Sequence, residues 1–133
     1  MTQPFHLQPL LDLANERLDE AARVLGELIS GEGECQRKLE ALEQYRAGYQ
    51  ARFQEAAGRG MGPDAWRNFA AFLGRIDEAI AAQRAELERS RQATADGQQA
   101  WLDQRTKVKA FDALAQRHQA SEARRTRRDE QRL

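Results

Sequence analysis

Apolar residues recur with a regular spacing along the first 56 positions of the chain. Alternating steps of four and three residues lead from Leu7 to Ala56 through fifteen positions, of which all but Glu32 and Arg46 are apolar. A repeat of 3.5 residues keeps one narrow seam turned toward a partner helix and is typical of a left-handed coiled coil. The pattern therefore predicts a first helix from about residue 5 to residue 57.

The same spacing resumes after a short segment rich in glycine and proline. Residues 58–63 read Gly-Arg-Gly-Met-Gly-Pro, and glycine suits the position after a helix end whereas proline suits the first helical position. A second seam then extends from Trp66 to His118 and is weak between Ser90 and Gly97. The sequence predicts an all-α fold, a long two-helix antiparallel coiled-coil hairpin. Residues 1–133 would form a single coiled-coil domain with a turn at 58–63 and a second helix over about 64–130.

A reversal near residue 61 pairs seam residues whose numbers sum to about 122. Phe53 then faces Phe69, and Arg46 faces Ile76. Glu32, between two glycines, faces Ser90, so that both helices lose their apolar seam at one level. This level is either a soft waist or a polar layer that fixes the register. A hairpin of this kind is a thin rod without an enclosed pocket, so its function is to be sought on its surface.

Composition and charge agree with this picture. Hydrophobic residues make up 41% of the chain and aromatic residues 7%, while 32% are charged, so that a large compact core is hard to build. Residues 1–57 carry 10 acidic and 6 basic residues, and residues 58–133 carry 11 and 15. The single cysteine, Cys35, cannot form an internal disulfide, and no apolar run resembles a membrane span or a signal peptide. We expect a soluble protein of a reducing compartment, without direct membrane insertion.

Catalytic patterns are scarce in this sequence. It contains no glycine-rich phosphate loop and no cysteine pair, and its two histidines, His6 and His118, are far apart and are interpreted as helix-surface residues. We therefore expect no enzymatic activity, no catalytic residues, no metal site and no cofactor.

A second stripe lies beside the seam near the turn. Tyr45 and Phe72 are its informative members, because neither occupies the seam and both should stay partly exposed. Such aromatic residues are common in protein interfaces, although they could also widen the core of the hairpin. The residues predicted to bind a partner here are Lys38, Leu42, Tyr45, Tyr49, Phe72, Ile76, Ala79 and Gln83.

The C-terminal segment from Arg117 is rich in arginine. Antiparallel pairing exhausts the first helix at about residue 115–120, so this segment should overhang the hairpin. Its arginines could bind an acidic protein surface or nucleic acid, or form a solvated helix end. Interleaved acidic residues and the absence of nearby aromatic residues argue against nucleic acid. The predicted binding residues are Arg117, Arg124, Arg125, Arg127 and Arg128.

Several short segments together resemble a known family, FliJ of the bacterial flagellar type III export apparatus. The most specific element is Trp66-Arg67-Asn68-Phe69 after the glycine-containing turn, because it is not a heptad feature. The other matching segments are Phe5-His6-Leu7-Gln8, Leu10-Leu11-Asp12-Leu13-Ala14, Asp19-Glu20-Ala21-Ala22-Arg23, the pair Tyr45 and Tyr49, Gly60-Met61, and Ala79-Ile80. The resemblance implies a two-helix coiled coil similar to the central stalk of rotary ATP synthases.

The resemblance also implies protein partners and a location. These are the hexameric export ATPase FliI, the export gate protein FlhA and export chaperones, at a cytoplasmic site peripherally associated with the inner membrane at the flagellar base. The family's surface patch maps onto the second stripe, with Lys38 and Gln83 departing from its commonest residues. We expect the end with both termini, including the C-terminal arginines, to dock in the ATPase ring. The alternatives are a structural spacer or holdase, and a nucleic-acid-binding hairpin that uses these arginines.

Overall fold

Two long α-helices make up the fold. The computed structural model describes residues 3–133, in which α1 spans Gln8–Gly58 and α2 spans Pro63–Gln131. The helices pack against each other in opposite directions, and no strand forms within the described residues. The predicted all-α helical hairpin is confirmed.

Helix α1 begins at Gln8, three residues later than predicted. Two backbone hydrogen bonds connect its first turn to the residues before it. The Gln8 N–H donates to the Phe5 carbonyl at 3.0 Å, and the Leu11 N–H donates to the Leu7 carbonyl at 3.0 Å. Proline has no N–H group and is tolerated only in the first turn of a helix. A helix that began at residue 5 would need a hydrogen bond from Pro9 to the Phe5 carbonyl, so the start moves to Gln8.

The connection between the helices consists of residues 59–62. Gly60 has a φ of 96°, which side-chain-bearing residues rarely adopt, and its N–H donates to the Ala57 carbonyl at 3.2 Å. This arrangement caps the end of α1. Pro63 opens α2, and the Trp66 N–H donates to the Gly62 carbonyl at 3.0 Å. The glycine-proline segment thus ends one helix and starts the next.

The described residues divide into two compact units, each containing part of both helices. Residues 28–94 form the unit that includes the turn. Its core is a cluster of four buried residues, Leu39, Ile76, Ile80 and Leu87, with Cys35, Leu42, Tyr49 and Phe72 packed against it. All of these residues belong to the apolar seams or lie next to them, so the heptad spacing determines the core.

The other unit combines residues 3–27 with residues 95–133. Leu11, Ala14 and Val108 are its buried residues, and Leu18, Phe111 and Ala115 pack against them. The small side chain of Ala14 lets the two helices approach closely at this level. Each of the two units therefore has a core of its own.

Cross-helix contacts follow the predicted register. The rings of Phe53 and Phe69 are 5.3 Å apart, and the Thr94 hydroxyl donates to the Leu28 carbonyl at 3.3 Å; the residue numbers of both pairs sum to about 122. Arg46 is an exception. Its guanidinium is paired with Asp77 and does not face Ile76, because a charged group leaves an apolar seam for a nearby carboxylate.

Candidate partner-binding surfaces

The second stripe predicted from the sequence lies within the unit of residues 28–94, and its members differ in exposure. Lys38, Tyr45 and Ala79 are exposed, with 49% of Tyr45 accessible. Leu42, Tyr49, Phe72 and Gln83 are half-buried. Ile76 is only 6% exposed and belongs to the core cluster. Ile76 therefore supports this surface from beneath, and a partner could not reach it while the helices are packed.

Three of these residues form what we call the aromatic patch: Tyr45, Tyr49 and Phe72. The Tyr49 and Phe72 ring centroids are 4.8 Å apart, and Tyr45 contacts both of the other rings at 6.5 Å. The Tyr45 ring meets the Phe72 ring edge to face, at an interplanar angle of 74°. Such ring pairs are favourable beyond the area they bury. The patch is thus an apolar surface of contacting rings built by both helices.

The aromatic contacts continue from the patch toward the turn. Tyr49 contacts Phe69 at 5.3 Å, Phe69 contacts Phe53 at 5.3 Å, and Phe53 contacts Trp66 at 4.8 Å. Trp66, at the end of this series, is 51% exposed. The seam spacing identified these residues individually, but it did not show that their rings form one continuous series.

Two cationic side chains on the patch were missed by the sequence analysis. The Arg52 guanidinium carbon lies 5.7 Å from the centroid of the Tyr49 ring, and that of Arg75 lies 5.7 Å from the centroid of the Phe72 ring. Each arginine follows its aromatic partner by three residues, and this spacing on a helix is the signal that could have revealed the contact.

Gln83, at the edge of the stripe, takes part in helix pairing. Its side-chain Nε2 donates to the Cys35 carbonyl at 3.1 Å. Together with the bond from Thr94 to Leu28, this places two polar links from α2 to main-chain carbonyls of α1 near the Glu32 and Ser90 level. These links support the interpretation of that level as a polar layer that fixes the register.

A charged groove of about 570 Å³ lies between the helices in the same unit. Arg46 pairs with Asp77, and Arg84 lies 3.6 Å from Glu43. The hydrogen bond from Arg46 lowers the pKa of Asp77, and the hydrogen bond to Asp77 raises the pKa of Arg46. Because its charges are paired, this groove is less suited to bind a charged partner than a surface with unpaired charges.

The C-terminal arginines lie in the other unit, toward the end of α2. Arg124, Arg127 and Arg128, here called the arginine cluster, line an open groove of about 430 Å³ together with Gln131. Arg117 is exposed. Arg125 is instead 3.6 Å from Glu122, so its charge is partly balanced. The structure brings three of the five predicted arginines together.

The segment before α1 covers part of the predicted overhang. The Gln3 carbonyl lies 2.8 Å from His118 Nε2, the Gln3 N–H donates to Glu122 Oε2 at 3.4 Å, and the Phe5 ring lies 5.6 Å from the His118 ring. Two predictions are therefore corrected: His6 precedes α1 and is not a helix residue, and the N-terminal segment contacts the overhang as far as Glu122. His118 lies on α2 as predicted and is half-buried beneath that segment. An extended residue covers more length than a helical one, so a few residues reach this far.

Within residues 3–133, neither α1 nor α2 contains a stretch that is long and apolar enough to cross a bilayer.

Comparison with known proteins gives one consistent result. A family model described as "Flagellar FliJ protein" matches residues 3–133. A Flagellar FliJ protein of Salmonella typhi is 28% identical over 121 residues, which cover 91% of this chain and 82% of the relative. A Flagellar FliJ protein of Escherichia coli K12 is 26% identical over 111 residues, which cover 84% of this chain and 76% of the relative. The similarity extends over both helices and the turn.

Proposed function

Because this chain belongs to the FliJ family, and is therefore a component of the flagellar export apparatus, we propose that it links the export ATPase FliI to the export gate protein FlhA. In this proposal the chain catalyses no reaction itself and offers two protein-binding surfaces. One is the aromatic patch in the unit of residues 28–94, and the other is the arginine cluster in the second unit.

The aromatic patch supports the assignment of a gate-binding surface. Tyr45 remains about half exposed although it lies against Phe72 and Tyr49. Large aromatic side chains supported by a packed core are the residues that most often dominate protein–protein affinity. This is the observation that carries the proposal, since the core of this unit is complete without Tyr45.

The gate-binding role is tested by separating binding from stability. We expect Tyr45→Ala with Phe72→Ala to weaken gate-protein binding by about thirtyfold or more, which corresponds to ~2 kcal/mol or above for such anchor residues. Leu39→Ala is the control, because Leu39 is 7% exposed in the core and its truncation typically costs ~2–5 kcal/mol of stability. Equal losses of binding and melting temperature in both variants would mean that the patch is only part of the core.

The arginine cluster supports the assignment of an ATPase-binding surface. Arg124, Arg127 and Arg128 present three positive charges along one groove, and among residues 3–133 none of them has a carboxylate within 4 Å. Exposed cations of this kind suit an acidic protein surface, although each contact contributes only ~0.2–1 kcal/mol.

The ATPase-binding role is tested by reversing the three charges. Arg124, Arg127 and Arg128 are changed to Glu, while Arg125 is kept because of its contact with Glu122. We expect weaker stimulation of ATP hydrolysis and unchanged gate binding. The control changes Arg105, Lys107 and Lys109 to Glu. These residues lie in the same unit, and the change in net charge is equal. Loss of gate binding with intact ATPase stimulation would reverse the assignment of the two surfaces.

The proposal also includes export chaperones as partners and a cytoplasmic position at the flagellar base, where binding to the gate protein holds the chain at the inner membrane. Cell fractionation tests this position. In a strain without the gate protein we expect the chain to leave the membrane fraction, and retention there would contradict the proposal.

A further inference from the structure

The aromatic patch carries a guanidinium group on each helix. Arg52 follows Tyr49 on α1, and Arg75 follows Phe72 on α2; both arginines are exposed, and both lie over the ring three residues before them, with 5.7 Å between guanidinium carbon and ring centroid. At this distance the ring face attracts the cation, while the planar guanidinium still offers its N–H groups to a partner. The patch is thus an apolar surface with a set of hydrogen-bond donors on each helix.

Neither arginine has an acidic partner within 4 Å among residues 3–133, in contrast to several other arginines in the same unit. Glu55 lies one turn from Arg52, but its carboxylate is paired with Arg59. Glu78 follows Arg75 by three residues, and both side chains are exposed. Neither guanidinium of the patch is therefore held in an ion pair by a side chain among residues 3–133.

We propose that the partner docking on the aromatic patch presents carboxylates beside its apolar contact, one reaching Arg52 and one reaching Arg75. This inference rests on the proposed function, in which that partner is the gate protein. Guanidinium groups bind carboxylates through two parallel hydrogen bonds. Because the guanidinium fork is planar and pre-organised, less conformational entropy is lost for each hydrogen bond formed on docking. The rings supply affinity, and the arginines supply orientation and a faster encounter.

The geometry of the rings favours a protein partner over single-stranded nucleic acid. Bases bind to open aromatic faces, whereas the Tyr49 and Phe72 rings meet at an angle of 51° and each has an arginine over it. Tyr49 is further enclosed by Phe69 at 5.3 Å. An acidic and apolar protein surface fits this arrangement without separating the rings.

The test measures association of the full-length chain with detergent-solubilised gate protein as a function of salt. We expect Arg52→Glu with Arg75→Glu to lower the association rate constant roughly tenfold at about 50 mM NaCl, and the difference to shrink as salt screens the charges. The matched control is Arg105→Glu with Lys109→Glu. Arg105 also lies over a ring, 5.5 Å from the Trp101 centroid, but in the other unit. We expect this control to bind as the unmodified chain does.

A conservative variant separates charge from geometry. Arg52→Lys with Arg75→Lys keeps both charges but loses the planar fork, so we expect the salt dependence to persist and dissociation to become faster. Melting temperatures are compared for all variants; if the glutamates lower them, the neutral variants Arg52→Gln with Arg75→Gln replace them in the measurement.

The outcomes separate this inference from the proposed function. If Tyr45→Ala with Phe72→Ala weakens gate binding and the arginine variants bind like the unmodified chain at every salt concentration, the carboxylate inference is overturned and the gate-binding role stands. If neither set changes gate binding, both are overturned. Binding of single-stranded RNA that depends on Arg52 and Arg75, without effect on the gate protein, would also overturn the inference.

Discussion

Arg46 shows how one residue of the seam can depart from the heptad pattern without disrupting it. Its backbone occupies a seam position, but its guanidinium binds Asp77, and its Nη1 donates to Gln50 at 2.7 Å. On the facing helix, Ile76 and Ile80 stay buried. A long side chain can thus place its charge at the edge of a helix pair while its methylene groups cover the seam.

The pair of Arg46 and Asp77 predicts a pH dependence of stability. The pKa of Asp77 is lowered by its hydrogen bond from Arg46, so its stabilising effect is present above the ordinary pKa and is lost as the pH falls through the lowered value. We expect Asp77→Asn to lower the melting temperature at pH 7, and the difference from the unmodified chain to vanish well below about pH 4.

A double-mutant comparison checks the origin of that effect. In a chain that carries Arg46→Gln, Asp77→Asn should change the melting temperature little at any pH, because the partner charge is gone. An undiminished effect of Asp77→Asn in that background would assign the stabilisation to another contact.

At the scale of the elements, glycine weakens α1 in its middle section. Gly26 and Gly31 lie inside the helix, and a Cβ atom at either position would meet nothing within 4 Å. Gly60, between the helices, is different because its φ of 96° is one that other residues rarely adopt. Glycine therefore costs stability at the first two positions and is required by the backbone at the third.

Alanine substitutions test this distinction. Gly31→Ala should raise the free energy of unfolding by ~0.5–1 kcal/mol, because alanine favours the helix and restricts the unfolded chain. Gly60→Ala should lower it, by ~1 kcal/mol or more, through strain in the cap. Urea unfolding of both variants measures the two changes. A destabilising Gly31→Ala would mean that the added methyl group meets a neighbour and would contradict the open space around Gly31.

The elements also show what the sequence could predict. The seam spacing identified the helices, the turn and the core residues Leu39 and Ile80, because periodicity along a helix directly determines which face is apolar. It did not reveal the partner of Arg46 or the rings beneath Arg52 and Arg75. Those contacts depend on the rotamer of each long side chain and on the side of the seam to which it extends. The heptad spacing of the sequence determines neither of these.

The contacts of residues 3–5 with His118 and Glu122 escaped prediction for a different reason. This segment has no periodicity, because Pro9 delays the helix. Its position depends on a few tertiary contacts, such as that of the Gln3 carbonyl with His118. For the aromatic patch, the spacing predicted the position of Tyr45 and Phe72 beside the seam, whereas the burial of Ile76 in the core follows from the packing of both helices.

At the scale of the whole molecule, both helices continue without interruption through the two compact units. We propose that the chain nevertheless behaves as a single domain, because helix formation is cooperative along the chain. The two tryptophans provide a test, since Trp66 lies in the unit of residues 28–94 and Trp101 in the other.

Urea unfolding of two single-tryptophan variants measures whether the two units unfold together. Trp66→Phe leaves Trp101 as the fluorescent probe, and Trp101→Phe leaves Trp66. We expect both fluorescence transitions to share one urea midpoint with the loss of helical circular dichroism, as in two-state unfolding. Separate midpoints for the two probes would mean that the units are independent domains.

The central claim is that the surface around Tyr45 binds the gate protein, and site-specific photocrosslinking in flagellated cells tests it most directly. A photoreactive phenylalanine analogue replaces Tyr45, which is 49% exposed, or Leu114, which is 39% exposed in the other unit. We predict a crosslink to the gate protein from position 45 and none from position 114. A crosslink to the gate protein from position 114 and none from position 45 would contradict the account.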